Sequence, residues 1–124
     1  MNKTIQIHEK NGIAIAEVLS DEILILKTSD GLDLMGDLYF QGYGSMILHE
    51  KNITPEFFDL KNGMAGEILQ KFSNYRVRLS IVGDFSAYTH KSIRDFIYES
   101  NKLGHVTFVG SVEEATDILA TLVS

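Results

Sequence analysis

Residues 45–84, SMILHEKNITPEFFDLKNGMAGEILQKFSNYRVRLSIVGD, decide the fold because they contain a complete strand–helix–strand unit. The runs SMILHE at 45–50 and VRLSIVGD at 77–84 are apolar and typical of buried strands. Between them, MAGEILQKF places Met64, Ile68, Leu69 and Phe72 on one side of a helix. Before that helix, Pro55 suits the first turn of a short helical segment, because an N–H group at that position would have no intrahelical partner anyway. The unit predicts two parallel strands joined by a right-handed crossover.

Two further strands are predicted before this unit. TIQIHE at 4–9 alternates apolar and polar residues, and IAIAEV at 13–18 is a second β-like run. Asn11 and Gly12 lie between them and accept positive φ, which favours an antiparallel hairpin. The following DEILIL at 21–26 is ambiguous, and one interpretation is a short extended segment.

The remaining sequence predicts three more helices and one more strand. Ser29 is the expected cap of the first helix, which ends before Gly42. A helix over about 89–102 and the strand HVTFVG at 105–110 follow the central unit. A capping box of Ser111 and Glu114 opens the last helix. The apolar positions expected to face inward are Leu32, Met35, Leu38 and Tyr39 in the first helix, and Ile93, Phe96 and Ile97 in the third.

The predicted fold class is therefore α/β, with the order ββαβαβαβα. Strands separated by helices imply a mixed, mostly parallel sheet, and the N-terminal hairpin adds an antiparallel edge. The 124 residues are enough for one core, so we expect a single domain over 1–124.

Composition narrows the class of protein. The net charge of −6 and the scattered basic residues argue against a nucleic-acid partner, because such binders carry a basic face. The apolar runs are shorter than the ~20 residues that span a bilayer, and no apolar leader is visible, so no membrane partner is expected. With no cysteine there is no disulfide or thiolate site. We expect a cytoplasmic protein.

Four segments of the chain point to a family. HEKNITPEFFDL, GEILQKF, VGDFS and RDFIYESN resemble a bacterial family of uncharacterised proteins, domain of unknown function 4180, over nearly the whole chain. The family name implies no activity.

More distantly, the order of elements resembles the STAS domain, the sandwich fold of anti-sigma-factor antagonists. In that fold a strand precedes a Phe-x-Asp-Ser-Ser-Gly loop and a helix, and the serine after the Asp is phosphorylated. Phe57, Phe58 and Asp59 are similar to the start of that loop, but Leu60 and the two residues after it offer no hydroxyl group. The resemblance therefore implies the architecture and a docking edge, without the phosphorylation switch.

The first functional hypothesis is a non-catalytic, regulatory protein-interaction module with a STAS-like fold. The turn contains three bulky side chains, Phe57, Phe58 and Leu60. Either one of them is exposed and anchors a protein partner, or two fill the core and the third packs under the loop. Tyr39, Phe40 and Tyr43 raise the same possibility at the end of the first helix. The open edge of the hairpin also allows a homodimer. The predicted partner surface comprises Phe57, Phe58, Asp59, Leu60, Lys61 and Asn62.

The alternative hypothesis is a domain that binds an anion or polar metabolite, or a small enzyme, at the carboxyl ends of the strands. Ligands meet parallel sheets at that edge. Alternation puts the side chains of residues 49 and 51 on one side and Glu50 on the other. A structural interpretation competes at each position: strand-end caps, an Asx turn at 84–86 and a solvated first turn at 88–92. The candidate ligand-binding residues are His49, Lys51, Asp84, Ser86, Tyr88 and His90.

Catalytic and cofactor motifs are weak in this sequence. The four histidines lack the HxH or HExxH spacing of metal sites, and no GxGxxG or P-loop motif is present. Ser86, His49 and Asp84 form a triad only on paper, since no nucleophile elbow exists. We expect no metal and no cofactor, and the balance of these observations is against an enzyme.

Overall fold

Five strands form one mixed sheet whose order across the sheet equals their order along the chain. The computed structural model describes residues 3–121. The strands are β1 Thr4–Lys10, β2 Ile13–Leu19, β3 Ser45–His49, β4 Arg78–Val82 and β5 Val106–Val109, and the helices are α1 Thr28–Phe40, α2 Met64–Asn74, α3 Lys91–Leu103 and α4 Val112–Thr121. The predicted α/β class and element order are confirmed.

The N-terminal hairpin has the predicted turn. Asn11 and Gly12 both adopt positive φ, 55° and 78°, the pattern of a turn whose twist matches that of the flanking strands. This turn sets the register, so that Lys10 pairs with Ile13 and His8 pairs with Ile15.

Strands β2 to β5 are parallel, and each new strand is added on the same side of the previous one. Right-handed crossovers then place α1, α2 and α3 on one face of the sheet. The larger core lies there, between strand residues such as Met46 and Leu48 and helix residues such as Leu38, Ile68 and Phe72.

Among residues 3–121, α4 is the only helix that covers the opposite face. Ala115 and Leu119 of α4 pack on Ile15, Ile47 and Val109 in a smaller core. Ser111 caps the helix by accepting the N–H of Glu114 at 3.1 Å, and the Glu114 carboxylate accepts the N–H of Gly110 rather than that of the cap residue.

The last turns of α4 are tied to the other end of the sheet. Lys10 donates to Asp117, and Arg78 donates through Nη2 to the carbonyl of Leu119. The helix therefore runs from the carboxyl end of β5 towards the amino ends of the parallel strands. It leaves the carboxyl ends of β2 and β3 uncovered on this face.

The segment between β3 and α2 forms three short 3₁₀ helices, Glu50–Asn52, Pro55–Phe58 and Leu60–Asn62. Thr54 caps the one that begins at Pro55, as the sequence predicts for a proline-started turn. Ile25, in the ambiguous extended segment, forms one parallel bridge with Ile53. The amide of Asn52 donates to the carbonyls of Ser20 and Glu22 at 2.8 Å, which ties this segment to the end of β2.

Two details of α1 differ from the prediction. The helix begins at Thr28, ahead of Ser29, because the Asp30 carboxylate accepts the N–H groups of Leu26 and Lys27. Tyr39 is exposed rather than buried, since the inner positions are filled by Leu34, Met35 and Leu38. Within residues 3–121, no helix has the length and apolar character needed to cross a membrane.

Candidate functional site

Glu17 of β2 is the most unusual side chain of the sheet. It is a carboxylate with only 5% of its surface exposed, on the face that carries Ile15. Its Oε1 lies 2.7 Å from Nε2 of His8, and its Oε2 lies 2.6 Å from Nε2 of His49. One buried carboxylate thus joins two imidazoles from the strands on either side.

The strand register explains why these three residues meet. His8 lies opposite Ile15 across the hairpin, so Glu17 is its diagonal neighbour on the same face. On the other side, Glu17 is aligned with Ile47, and His49 lies two residues further along β3 on the same face.

The protonation of the cluster follows from its contacts. Burial opposes ionisation of Glu17, but the hydrogen bonds from His49 and His8 outweigh it, and the pKa of Glu17 lies below its usual value of 4.5. The ionised carboxylate only accepts hydrogen bonds, so Nε2 of each imidazole carries the proton. In a neutral ring the Nδ1 atom is then an acceptor, and among residues 3–121 no hydrogen bond is made to Nδ1 of His8 or His49.

The cluster opens into a cleft of about 670 Å³ at the carboxyl ends of β2 and β3. Glu17 and His49 lie at its wall, together with Lys51, Asp21 and Lys3, and no residue of α4 lines it. Nζ of Lys51 lies 3.3 Å from Oδ1 of Asp21 at the exposed rim. We call this feature the histidine–carboxylate cleft, meaning Glu17, His49 and Lys51 with the neighbouring rim.

Glu50 faces the other side of the sheet, as alternation along the strand predicts. Its Oε2 accepts a hydrogen bond from the hydroxyl of Tyr88 at 3.0 Å. The Glu50 side chain lies directly over Gly83, where an added Cβ atom would come within 2.7 Å of the Glu50 Cβ. Burial, followed by the Glu50 carboxylate, raises the pKa of Tyr88 to about 12.

Asp84 and Ser86 form the turn that the structural interpretation predicts. Oδ1 of Asp84 accepts the N–H of Ser86 at 3.1 Å and its hydroxyl at 2.7 Å. These bonds with Ser86 lower the pKa of the exposed Asp84 carboxyl. His90 is exposed and precedes α3 without capping it through its side chain.

The alternative residue set therefore divides into two groups. His49 and Lys51 line the cleft, whereas Tyr88 packs on the opposite core, stacked on Phe58 with ring centroids 4.5 Å apart. Asp84 and Ser86 bond each other at the β4–α3 loop. The six residues do not converge on one pocket.

The predicted partner surface is corrected in its aromatic part. Phe57 and Phe58 are buried, at 1% and 8% exposure, and Leu60 is half-buried against the same core. The turn packs inward because both rings join an aromatic cluster around Phe108. Of the two alternatives for this turn, the structure has the one in which two side chains fill the core and the third packs beside them.

Only the polar part of that surface is exposed. Asp59 and Lys61 face solvent. Asn62 is exposed too, but it accepts the N–H of Met64 and donates to the carbonyl of Glu56, so it holds the turn before α2. No aromatic anchor is available here for a partner.

Sequence reasoning missed His8 and Glu17. The available signal was Glu17 itself, an acidic residue two places after Ile15 on the face that the alternation assigns to the core. A hairpin register counted from the Asn11–Gly12 turn then places His8 beside it. Across residues 3–121, no group of three or more histidine or acidic side chains is arranged to hold a metal ion.

Comparison with known proteins identifies the family. The family model described as Domain of unknown function (DUF4180) matches residues 10–119, which include β2 to β5, α1 to α3 and all of α4 except its last two residues. The chain belongs to this family. Neither the curated proteins nor the solved structures contain a significant match to this DUF4180 chain. The matched range includes Glu17 and His49, while His8 lies just before it.

Proposed function

We propose that this DUF4180 domain binds a small polar molecule in the histidine–carboxylate cleft. The observation that carries the proposal is the Glu17 carboxylate, buried in the sheet between two imidazoles at the edge of an open cleft. Ligands of parallel sheets bind at this edge, beyond the carboxyl ends of the strands.

The energetics of Glu17 support a role beyond packing. A buried carboxylate loses its hydration, and among residues 3–121 that loss is compensated by the contacts with His8 and His49. An apolar side chain at position 17 would continue the row of Ile13 and Ile15 without this cost. The two histidines are about a quarter exposed, so they link the buried charge to the solvent side of the sheet.

The chemistry of the cleft indicates the kind of ligand. A neutral His49 offers Nδ1 as an acceptor, and a protonated His49 offers it as a donor. Lys51 and Asp21 add one charge of each sign at the rim. These groups suit a small molecule that carries both donors and acceptors. Because an imidazole can both donate and accept a proton, the proposal extends to acid–base chemistry on the bound molecule.

A differential screen tests this proposal. The thermal stability of wild type, His49→Gln and Arg94→Gln is measured against a panel of polar metabolites, with Arg94→Gln as an exposed control on α3. We expect at least one compound that raises the Tm of wild type and control but not that of His49→Gln. A panel in which every stabilising compound acts equally on all three proteins would contradict the proposal.

A second candidate function is the regulatory protein-interaction module, and the exposed end of α1 favours it. Phe40 is 93% exposed and Tyr39 is 56% exposed. Adjacent exposed aromatic side chains are common anchors for protein partners. The resemblance to STAS domains supports the same proposal. The cysteine-free composition supports a cytoplasmic location for such a module.

Affinity capture from the native cell lysate tests this second function. Wild type is compared with Phe40→Ser and with Asp59→Arg, which places a reversed charge on the predicted docking turn. A near-stoichiometric partner that Phe40→Ser no longer captures would support docking at the end of α1. A partner that only Asp59→Arg fails to capture would support docking at the predicted turn instead. Equal recovery by all three proteins would exclude both surfaces. A second copy of the chain as the captured partner would indicate the homodimer, for which β1 provides an open sheet edge.

A further inference from the structure

A second groove, of about 830 Å³, lies at the other end of the parallel strands, along the amino ends of β2, β3 and β4. Three basic side chains line it: Arg76, Arg78 and His105. No aspartate or glutamate is among the lining residues. The chain as a whole has the opposite balance, with 17 Asp and Glu residues against 11 Lys and Arg residues.

These basic groups lack carboxylate partners. The five ion pairs between residues 3–121 involve His8, Lys10, His49, Lys51 and Lys91, and none of the three groove residues. The positive charges of Arg76 and Arg78 are therefore not cancelled by any salt bridge in the part of the chain that is described.

Arg78 contributes a partly buried charge. Its Nη2 donates to the carbonyl of Leu119 at the end of α4, which favours a cation there. Its Nη1 is out of contact with solvent and has no hydrogen-bond partner within residues 3–121. Burial lowers the pKa of the guanidinium, the sign of a charge that is incompletely compensated. A nearby anion would stabilise it.

Arg76 occupies a backbone position that favours glycine. Its φ is 56°, in the left-handed region, at the second position after the end of α2. This conformation costs a non-glycine residue about 1–2 kcal/mol. Its N–H donates to the carbonyl of Ser73, an interaction that glycine would make equally well. Within residues 3–121 the Arg76 side chain makes no ion pair that would offset this cost.

We propose that this basic groove, formed by Arg76, Arg78 and His105, binds the oxyanion of a small phosphorylated or carboxylated metabolite. The exposed guanidinium of Arg76 can recognise either kind of oxyanion through paired N–H donors, and the partly buried Arg78 adds a positive charge beside it. The volume lies within the range of about 300–1,000 Å³ found for small-molecule sites, so it has room for more than a bare ion. This proposal is independent of the histidine–carboxylate cleft, which shares no residue with the groove.

An NMR titration with inorganic phosphate tests the proposal. Backbone amide shifts of the full chain are followed at pH 7 against sodium chloride of equal ionic strength. A parallel titration with sodium succinate separates a carboxylate source from a phosphate source. We expect saturable shifts in at least one titration, centred on residues 76–78 and 104–106.

Arg76→Gly provides the decisive variant because it removes the side chain and relieves the positive φ. We expect it to melt no lower than wild type and to bind the titrated anion at least fivefold more weakly, with a similar loss for His105→Gln. Arg94→Gln removes one exposed positive charge elsewhere and should bind as wild type does. Unsaturable shifts in both titrations, or equal affinity of Arg76→Gly and wild type, would overturn the proposal.

Discussion

Glu17→Gln tests whether the bond between the carboxylate and the two histidines holds the sheet together. The substitution keeps the size of the side chain and removes its charge. Hydrogen bonds to a charged group contribute about 1.5–3 kcal/mol each, and neutral ones about 0.5–1.5 kcal/mol. Glutamine still accepts from one imidazole, while the other ring must change tautomer to accept from its NH₂ group.

The expected cost is about 2 kcal/mol in the free energy of unfolding at pH 7. Part of the loss of two charged bonds is regained because the amide is cheaper to bury than the carboxylate. For a chain of this length, the change corresponds to a fall in Tm of roughly 6–10 °C. Urea unfolding with an unchanged m-value measures the free energy directly.

A double-mutant cycle separates the contact from other effects of the substitution. Glu17→Gln, His49→Gln and the double variant should show a coupling energy of about 1 kcal/mol or more, as expected for side chains in direct contact. Asp21→Asn serves as the matched control, since it removes an exposed carboxylate from the same cleft and should cost less than about 0.5 kcal/mol. A Glu17→Gln variant as stable as this control, with no coupling to His49, would refute the reasoning.

Three further predictions concern pH and close packing. The folded pKa of Glu17 lies below its unfolded value of 4.5, so its contribution to stability is complete above pH 4.5 and is lost as the pH falls through the folded pKa. The difference in unfolding free energy between wild type and Glu17→Gln should therefore shrink below pH 4.5. A difference that stays constant down to pH 3 would contradict this prediction. Gly83→Ala should destabilise the fold by about 1–3 kcal/mol because the new Cβ atom would collide with the Cβ atom of Glu50. Gly66→Ala, at an exposed position of α2 with open space around it, should instead stabilise the fold by about 0.5–1 kcal/mol. Thermal melts that show equal effects of the two substitutions would contradict the close packing at Gly83. Tyr88 should titrate near pH 12 when tyrosine ionisation is followed by ultraviolet absorbance, and this transition should be absent from Tyr88→Phe. The stability linked to the raised pKa should be complete below pH 10 and decline as the pH rises towards 12. A midpoint near pH 10 for every tyrosine would contradict the hydrogen bond to Glu50.

The element order and hairpin were predictable because local rules govern them. Asn11 and Gly12 specify their turn by backbone conformation, and the helix periodicity at residues 64–72 is unambiguous. The direction of Tyr39 was not predictable, since only the packing of α1 on α2 decides which residue at the margin of the apolar stripe is buried. The same holds for Phe57 and Phe58, whose burial depends on Phe108, about fifty positions further along the chain.

The candidate site was predictable in part. His49 and Lys51 were recognised as strand-end residues of one side, and both lie at the cleft. Glu17, the partner of His49, comes from a neighbouring strand, and its role depends on which strands are adjacent and in what register. The sequence contains that information only after the sheet order is known. Asp84 and Ser86 were assigned to the same edge but bond each other, because an Asx turn forms within three residues without help from the rest of the fold.

The position of α4 has a consequence for how the chain folds during synthesis. The strands lie side by side in chain order, so each one can pair with its predecessor as soon as both have left the ribosome. The face with Ile15, Ile47 and Val109 has no cover until residues 112–121 have emerged, because α4 is its only covering helix among the described elements. The nascent chain therefore presents an assembled sheet with one bare apolar side. Exposed apolar surface of this kind favours aggregation until α4 covers it.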